Sequence, residues 1–191
     1  EELVEEEKIE ESEEIPIIQP SAQRLCQIES GVSPERNKII INELAWMGTA
    51  ESSDNEWIEL KNGSRAEISL ADWQILNPDE KIKIIFREGG SVLPAAFYLL
   101  ERTNDQTLPG LAADKIYTGA LKNDGDSLYL FDENCQLQDY VLAFSGWPFG
   151  DNNSKRTMER RPGFDWQTSA NPGGTPKTEN SAGFYESFFS G

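Results

Sequence analysis

From Lys38 onward the chain alternates apolar and polar residues with a period of two and is rich in β-branched side chains, the signature of half-buried strands. Lys38–Trp46 (KIIINELAW) reads as a first strand with Ile39, Ile41 and Leu44 directed inward. Glu56–Lys61 (EWIELK) alternates strictly, with Trp57 on one face and Ile58 and Leu60 on the other, and Asn62-Gly63 closes it with a turn signal. Further strands are predicted over Ile68–Leu76, Lys81–Arg87, Phe97–Arg102, Ser127–Phe131, Gln138–Phe144 and Lys155–Arg160. Turn clusters separate them at Asn77-Pro78-Asp79, Glu88-Gly89-Gly90, Asn123-Asp124-Gly125-Asp126 and Asp132-Glu133-Asn134. No amphipathic helix of useful length emerges. Short strands with turns at this spacing describe an all-β sandwich or barrel.

Charge changes the picture at the ends. Of the formal net charge of −17, residues 1–14 carry −8 (nine Glu, one Lys), leaving −9 for the other 177 residues. Like charges at i, i+4 oppose a helix there, so residues 1–36, punctuated by Pro16, Pro20 and Pro34, read as a disordered acidic stalk or linker. Residues 37–180 form the expected folded unit, with order fading after about Asn180, and residues 181–191 a tail carrying Phe184, Tyr185, Phe188 and Phe189. Nonspecific nucleic-acid binding is disfavoured by this charge, and no apolar run is long enough to span a bilayer. A chain that begins at Glu1 rather than Met is read as a processed or excised fragment of an exported protein. Cys26 and Cys135 fit no metal-ligand spacing; a single disulfide in an oxidising compartment and two unrelated thiols both remain open.

The stretch Ile41-Asn42-Glu43-Leu44-Ala45-Trp46-Met47-Gly48, followed by Asp54-Asn55-Glu56-Trp57-Ile58-Glu59-Leu60, resembles the opening strand pair of the bacterial branch of the lamin-tail domain. The resemblance continues through Leu70–Ile75, Phe97–Arg102, Tyr117–Leu121, Gly125–Phe131 and Met158–Arg160, and ends at Gly173-Gly174-Thr175-Pro176. It implies an immunoglobulin-like β-sandwich of lamin-tail type over roughly residues 37–180, a module of exported or cell-surface bacterial proteins without a catalytic set of its own. The heptads and basic localisation stretch of nuclear lamins are missing, so nuclear functions do not transfer.

Candidate chemistry is sparse. The chain has no His, which removes Ser-His-Asp, Cys-His and His-metal chemistry. Glu43, Glu56 and Glu59 lie on or near the opening strands, either as paired acids for hydrolysis or as acceptors that hold strand ends in register. Asp124 and Asp126, with Asp54 nearby in kind, are candidate Ca²⁺ ligands, against an ordinary Asn-Asp-Gly turn. Trp57 and Trp73 are expected in the core. Trp46, Trp147, Phe149 and Trp166 are the candidate recognition aromatics, with packing as the alternative. Lys155, Arg156, Arg160 and Arg161 form the one dense basic cluster, which strand alternation would split between faces. These readings combine into a non-catalytic binding or scaffolding module, extracellular or at the cell surface, with a protein or cell-surface polymer as partner and no obligatory cofactor. The alternatives are a carbohydrate-binding module using exposed Trp and acidic loops, and a carboxylate-dependent hydrolase.

Overall fold

A computed structural model describes residues 24–87 and 89–185. Of residues 1–36, read as a disordered stalk or linker, 1–23 lie outside the described residues, whereas 24–36 pack on the sandwich. Of the tail, 186–191 lie outside, whereas Ser181 and Phe184 bond β11 and β12, so order does not fade at Asn180. Twelve strands and no helix occur among those described. They are β1 (Ile39–Ala45), β2 (Trp57–Asn62), β3 (Ile68–Ser69), β4 (Gln74–Leu76), β5 (Lys83–Ile85), β6 (Ser91–Val92), β7 (Phe97–Arg102), β8 (Lys115–Tyr117), β9 (Ser127–Phe131), β10 (Leu137–Leu142), β11 (Arg156–Arg160) and β12 (Trp166–Pro172). A six-stranded sheet in the order β12-β11-β1-β2-β7-β8 faces a four-stranded sheet in the order β10-β9-β4-β5, and β3 pairs with β6 as a short ladder. This is an immunoglobulin-like β-sandwich.

The alternation explains the core. Ile41, Leu44, Ile58, Leu60, Leu100 and Met158 of the first sheet meet Ile75, Ile84, Leu128, Leu130 and Val141 of the second, with Trp73 and Phe86 at the margin. Each such side chain contributes roughly 1.5–3 kcal/mol by leaving water. Ile41 and Leu44 both point inward because the register shifts between Ile41 and Glu43, a bulge at Asn42 that restores the apolar parity.

One strand expectation needs correction, and two further strands escape the periodicity. Ile68–Leu76 is not one strand: Leu70–Trp73 forms a turn in which Asp72 takes a positive φ of 64°, dividing β3 from β4. Trp57 is a fully buried core residue as expected, in a smaller core cluster with Ala45 and Leu99. β8 escapes the periodicity because only three residues pair, parallel to β7. β12 escapes it because Trp166–Pro172 carries polar residues on both faces.

Three irregular segments cover what the sheets leave open. Residues 103–114 make the crossover that a parallel β7–β8 pair demands, and lay Leu108 and Leu111 on Trp57. Residues 24–37 cross the outer face of the second sheet, where Leu25, Cys26 and Ile28 pack on Leu76, Phe131 and Leu137. The Gln74 side chain accepts from the Cys26 N–H (3.0 Å) and donates to the Arg24 carbonyl (2.9 Å), so it reads that segment as a neighbouring strand would. Glu35 and Arg36 then hydrogen-bond to the carbonyls of Leu137 and Gln138, occupying the edge of β10. Residues 173–181 lie on the outer face of the first sheet.

Cys26 and Cys135 are joined by a disulfide across 109 positions. Loop closure of that length in the unfolded chain corresponds to about 4–5 kcal/mol. The double variant C26S/C135S should lose stability of that order in chemical denaturation while keeping a native β-type circular dichroism spectrum. An unchanged midpoint would show that the packed segment 24–37 needs no covalent tie.

Candidate binding site: an arginine–aromatic groove

Along β10, Val141 points into the core while Tyr140 and Leu142 face outward, and Phe144 just beyond continues that face at 70% exposure. Opposite stands the β11–β12 hairpin, whose turn brings Arg161, Phe164 and Asp165 to the rim and Trp166 to the wall. Phe149 closes one end. Between these walls runs an open groove of about 520 Å³ with Arg36 and Arg160 in its floor.

The floor is built on one buried carboxylate. Asp139, fully buried, accepts two bonds from Arg160 Nη2 (2.9 and 2.7 Å), one from Arg36 Nε (2.7 Å) and one from the Ile41 N–H (3.0 Å). Arg160 also donates to the Ile41 carbonyl from Nε (3.0 Å), so the ion pair spans from the second sheet to the bulge of the first. Burial pulls the Arg160 guanidinium pKa down, and the charge of Asp139 opposes this. Arginine faces are stacked as well: Arg160 lies 3.8 Å from the Trp166 ring centroid, and Arg36 lies 5.3 and 5.4 Å from the Tyr140 and Phe164 rings. Among the described residues, the terminal nitrogens of Arg36 and the whole Arg161 guanidinium make no hydrogen bond. The groove therefore offers a positioned Arg36 and a solvent-exposed Arg161 as N–H donors between apolar walls, the composition that recognises a carboxylate flanked by apolar groups.

The four aromatics singled out by sequence divide. Phe149 and Trp166 line the groove. Trp46 is buried behind it, its indole N–H donating to the Phe149 carbonyl (3.0 Å), and Trp147 stacks on Trp46 with centroids 5.7 Å apart and planes 6° from parallel. Trp147 donates in turn to the Lys122 carbonyl (2.8 Å). Tyr140, Leu142 and Phe144 join this face as three outward apolar residues at period two in Gln138–Phe144, a pattern the sequence carries.

The basic cluster disperses. Lys155 bonds the Met47 carbonyl (3.1 Å), Arg156 bonds the β12 carbonyls of Ser169 and Ala170 and stacks on Phe184, and only Arg160 and Arg161 reach the groove. Asp124 is exposed at its loop tip. Asp126 turns inward to the Ser127 N–H (2.8 Å) and the Asn77 amide (3.3 Å), so the turn itself takes up its carboxylate. Among the described residues no three acids, cysteines or histidines converge as a metal site.

Glu43, Glu56 and Glu59 do not surround a cleft. Glu56 holds the Leu121 N–H (2.8 Å) and Arg102 (3.1 Å). Glu43 and Glu59 are cross-strand partners on the outer face of the first sheet, and Glu159 of β11 extends their row on the other side of Glu43. All three are fully buried beneath residues 173–181. Glu159 was overlooked because it sits among the basic residues of its strand.

The sequence model of the family described as Lamin Tail Domain matches residues 33–145, more than half of the chain. The chain belongs to the lamin tail domain family. No curated protein sequence matches it. In this lamin tail domain, β11 and β12 lie beyond the matched stretch yet complete the six-stranded sheet. One wall of the groove, with Tyr140 and Leu142, thus comes from the family-matched portion, and the other, with Arg160, Arg161, Phe164 and Trp166, from the following hairpin.

The Phe149 wall depends on Gly150, whose φ is +87° and where an added Cβ would stand 2.5 Å from the Trp46 indole nitrogen. Gly150→Ala should cost about 1–3 kcal/mol and weaken the exciton couplet of the parallel tryptophans in far-ultraviolet circular dichroism. A couplet and melting curve identical to the parent would show that the loop is not held by this contact.

Proposed function

We propose that this lamin tail domain is a non-catalytic binding module of an exported or cell-surface bacterial protein, and that its groove docks an extended acidic segment, with apolar anchors, of a partner protein. The observation that carries the reading is the pairing, among the described residues, of Arg36 and Arg161 N–H groups without protein partners with exposed Leu142, Phe149 and Phe164 in one groove, on a chain whose net charge is otherwise strongly negative. A locally cationic groove in an acidic protein draws the acidic part of a partner and repels the rest, which favours selectivity over tight nonspecific association. Family membership supports a binding rather than a catalytic role, and the Cys26–Cys135 bridge supports an oxidising compartment. A protein is favoured over a sugar because the Trp faces are occupied: Trp166 by Arg160, and Trp46 and Trp147 by each other.

The chain contains a suitable probe in residues 1–18, where Glu alternates with Leu3, Val4, Ile9, Ile15, Ile17 and Ile18. Fluorescence anisotropy should detect binding of that labelled peptide at low salt, weakening as salt rises. Arg161→Gln combined with Phe149→Ala should weaken it roughly tenfold or more, about 1.4 kcal/mol, without moving the melting temperature appreciably. Equal binding by a peptide with Gln in place of every Glu, equal binding to the double variant, or preference for an oligosaccharide would each overturn the proposed partner chemistry.

A further inference from the structure

We propose that residues 173–181 form a pH-sensitive clasp over the row Glu159–Glu43–Glu59, closed while Glu43 and Glu59 hold protons and loosened when both are ionised. The three carboxylates sit in register on the adjacent strands β11, β1 and β2. Residues 173–181 bind to them almost entirely by donating. The Thr175 N–H reaches Glu43 (2.9 Å), the Thr175 hydroxyl reaches Glu43 (2.8 Å) and lies 3.3 Å from Glu159, the Lys177 N–H reaches Glu59 (2.5 Å), and the Ser181 hydroxyl bonds Glu159. From beneath, Thr157 donates to Glu43, Asn42 to Glu59 (2.8 Å) and Gln167 to Glu159 (2.9 Å). The approach is so close that a Cβ on Gly174, at φ +81°, would fall 2.3 Å from a Glu43 oxygen. Thr175 has one hydroxyl proton facing two carboxylates, so Glu43 and Glu159 compete for that donor.

Among the described residues no cation is ion-paired with the row, and Lys61 acts on Glu59 only from a distance. On β2, Lys61 pairs with Glu179 of the clasp (2.7 Å), and Lys177 of the clasp pairs with Asp114 of the crossover loop (3.0 Å). On β11, Arg160 is turned to Asp139 on the other face, and on β7, Glu101 adds a further acid, bonded to the Thr107 N–H (3.1 Å). The neighbouring β12 residues Gln167, Thr168 and Ser169 are uncharged. Like carboxylates buried side by side cannot all ionise cheaply. Burial raises the Glu43 carboxyl to about 7 and the Glu59 carboxyl to about 8, with Glu159 and Glu43 adding repulsion respectively and the clasp donors acting in the opposite direction. The folded state therefore keeps protons that the unfolded chain releases near 4.5. Stability from the closed clasp is full below the unfolded value and is lost as pH rises through about 7 to 8, the reverse of an ordinary ion-paired acid.

The test is an NMR pH titration of the whole chain, following the Thr175 and Lys177 amides, which point at the two carboxylates. Their shifts should inflect between about 7 and 8, and trypsin cleavage after Lys177, corrected for the enzyme's own pH profile, should accelerate roughly tenfold across the same interval. Glu59→Gln should reduce the alkaline acceleration to the Glu43 step, and Glu43→Gln/Glu59→Gln, where it folds, should remove it and keep the clasp shut. Amide inflections near the ordinary carboxyl value, or cleavage that stays flat with pH in the parent chain, would overturn the proposal.

Discussion

The architecture turns on one buried ion pair. Asp139 belongs to the second sheet and Arg160 to the first, and they meet at the bulge of β1, where Asp139 accepts from the Ile41 N–H and Arg160 donates to the Ile41 carbonyl. Removing two charges from water is expensive, and the cost is recovered only when geometry and additional hydrogen bonds are good. Here every member of the pair is engaged: Asp139 also takes Arg36 from the segment 24–37, and Arg160 also holds the Phe164 and Tyr140 carbonyls and covers Trp166. The same pair therefore ties the two sheets together, anchors the N-terminal covering segment and shapes the groove floor. Stability and the proposed recognition surface share a single support.

The outer faces obey a different logic. Apolar residues are too few to cover both sheets twice over, so the first sheet buries acids beneath hydrogen-bonding chain. Glu101 is met by residues 103–114, and Glu43, Glu59 and Glu159 by residues 173–181. A polar face closed this way is specific in register, because each donor must find its acceptor, and sensitive to protonation, because the acceptors are ionisable.

Where apolar residues alternated, the sequence was readable: β1, β2, β7, β9, β10 and β11 lie within a residue or two of expectation. Breaks in that parity were readable too. The shift from Ile41 to Leu44 marks the bulge, and the shift from Leu70 to Trp73 marks the turn at Asp72 that divides the predicted Ile68–Leu76 strand. β12 carried no such signal, since its pairing with β11 is backbone-driven and its faces are polar. Of the groove, Phe149 and Trp166 were visible as unusual aromatics and Arg160 and Arg161 as unusual cations. Their convergence with Arg36 was not, because it depends on Asp139, one acid among many, finding two arginines more than twenty and one hundred positions away. The Asp124–Asp126 loop shows the converse: a spacing suggestive of a ligand set whose inner carboxylate is consumed by its own turn.

The most direct measurement is a double-mutant cycle on Asp139 and Arg160, using Asp139→Asn, Arg160→Met and their combination, with unfolding free energy and Trp166 fluorescence followed together. Each single substitution strands a buried partner and should cost about 3–5 kcal/mol, with the pair costing far less than the sum. Trp166 emission should change in both singles as the guanidinium leaves the ring. Additive losses below about 1 kcal/mol, with Trp166 undisturbed, would contradict the claim that this ion pair holds the two sheets and the groove in place.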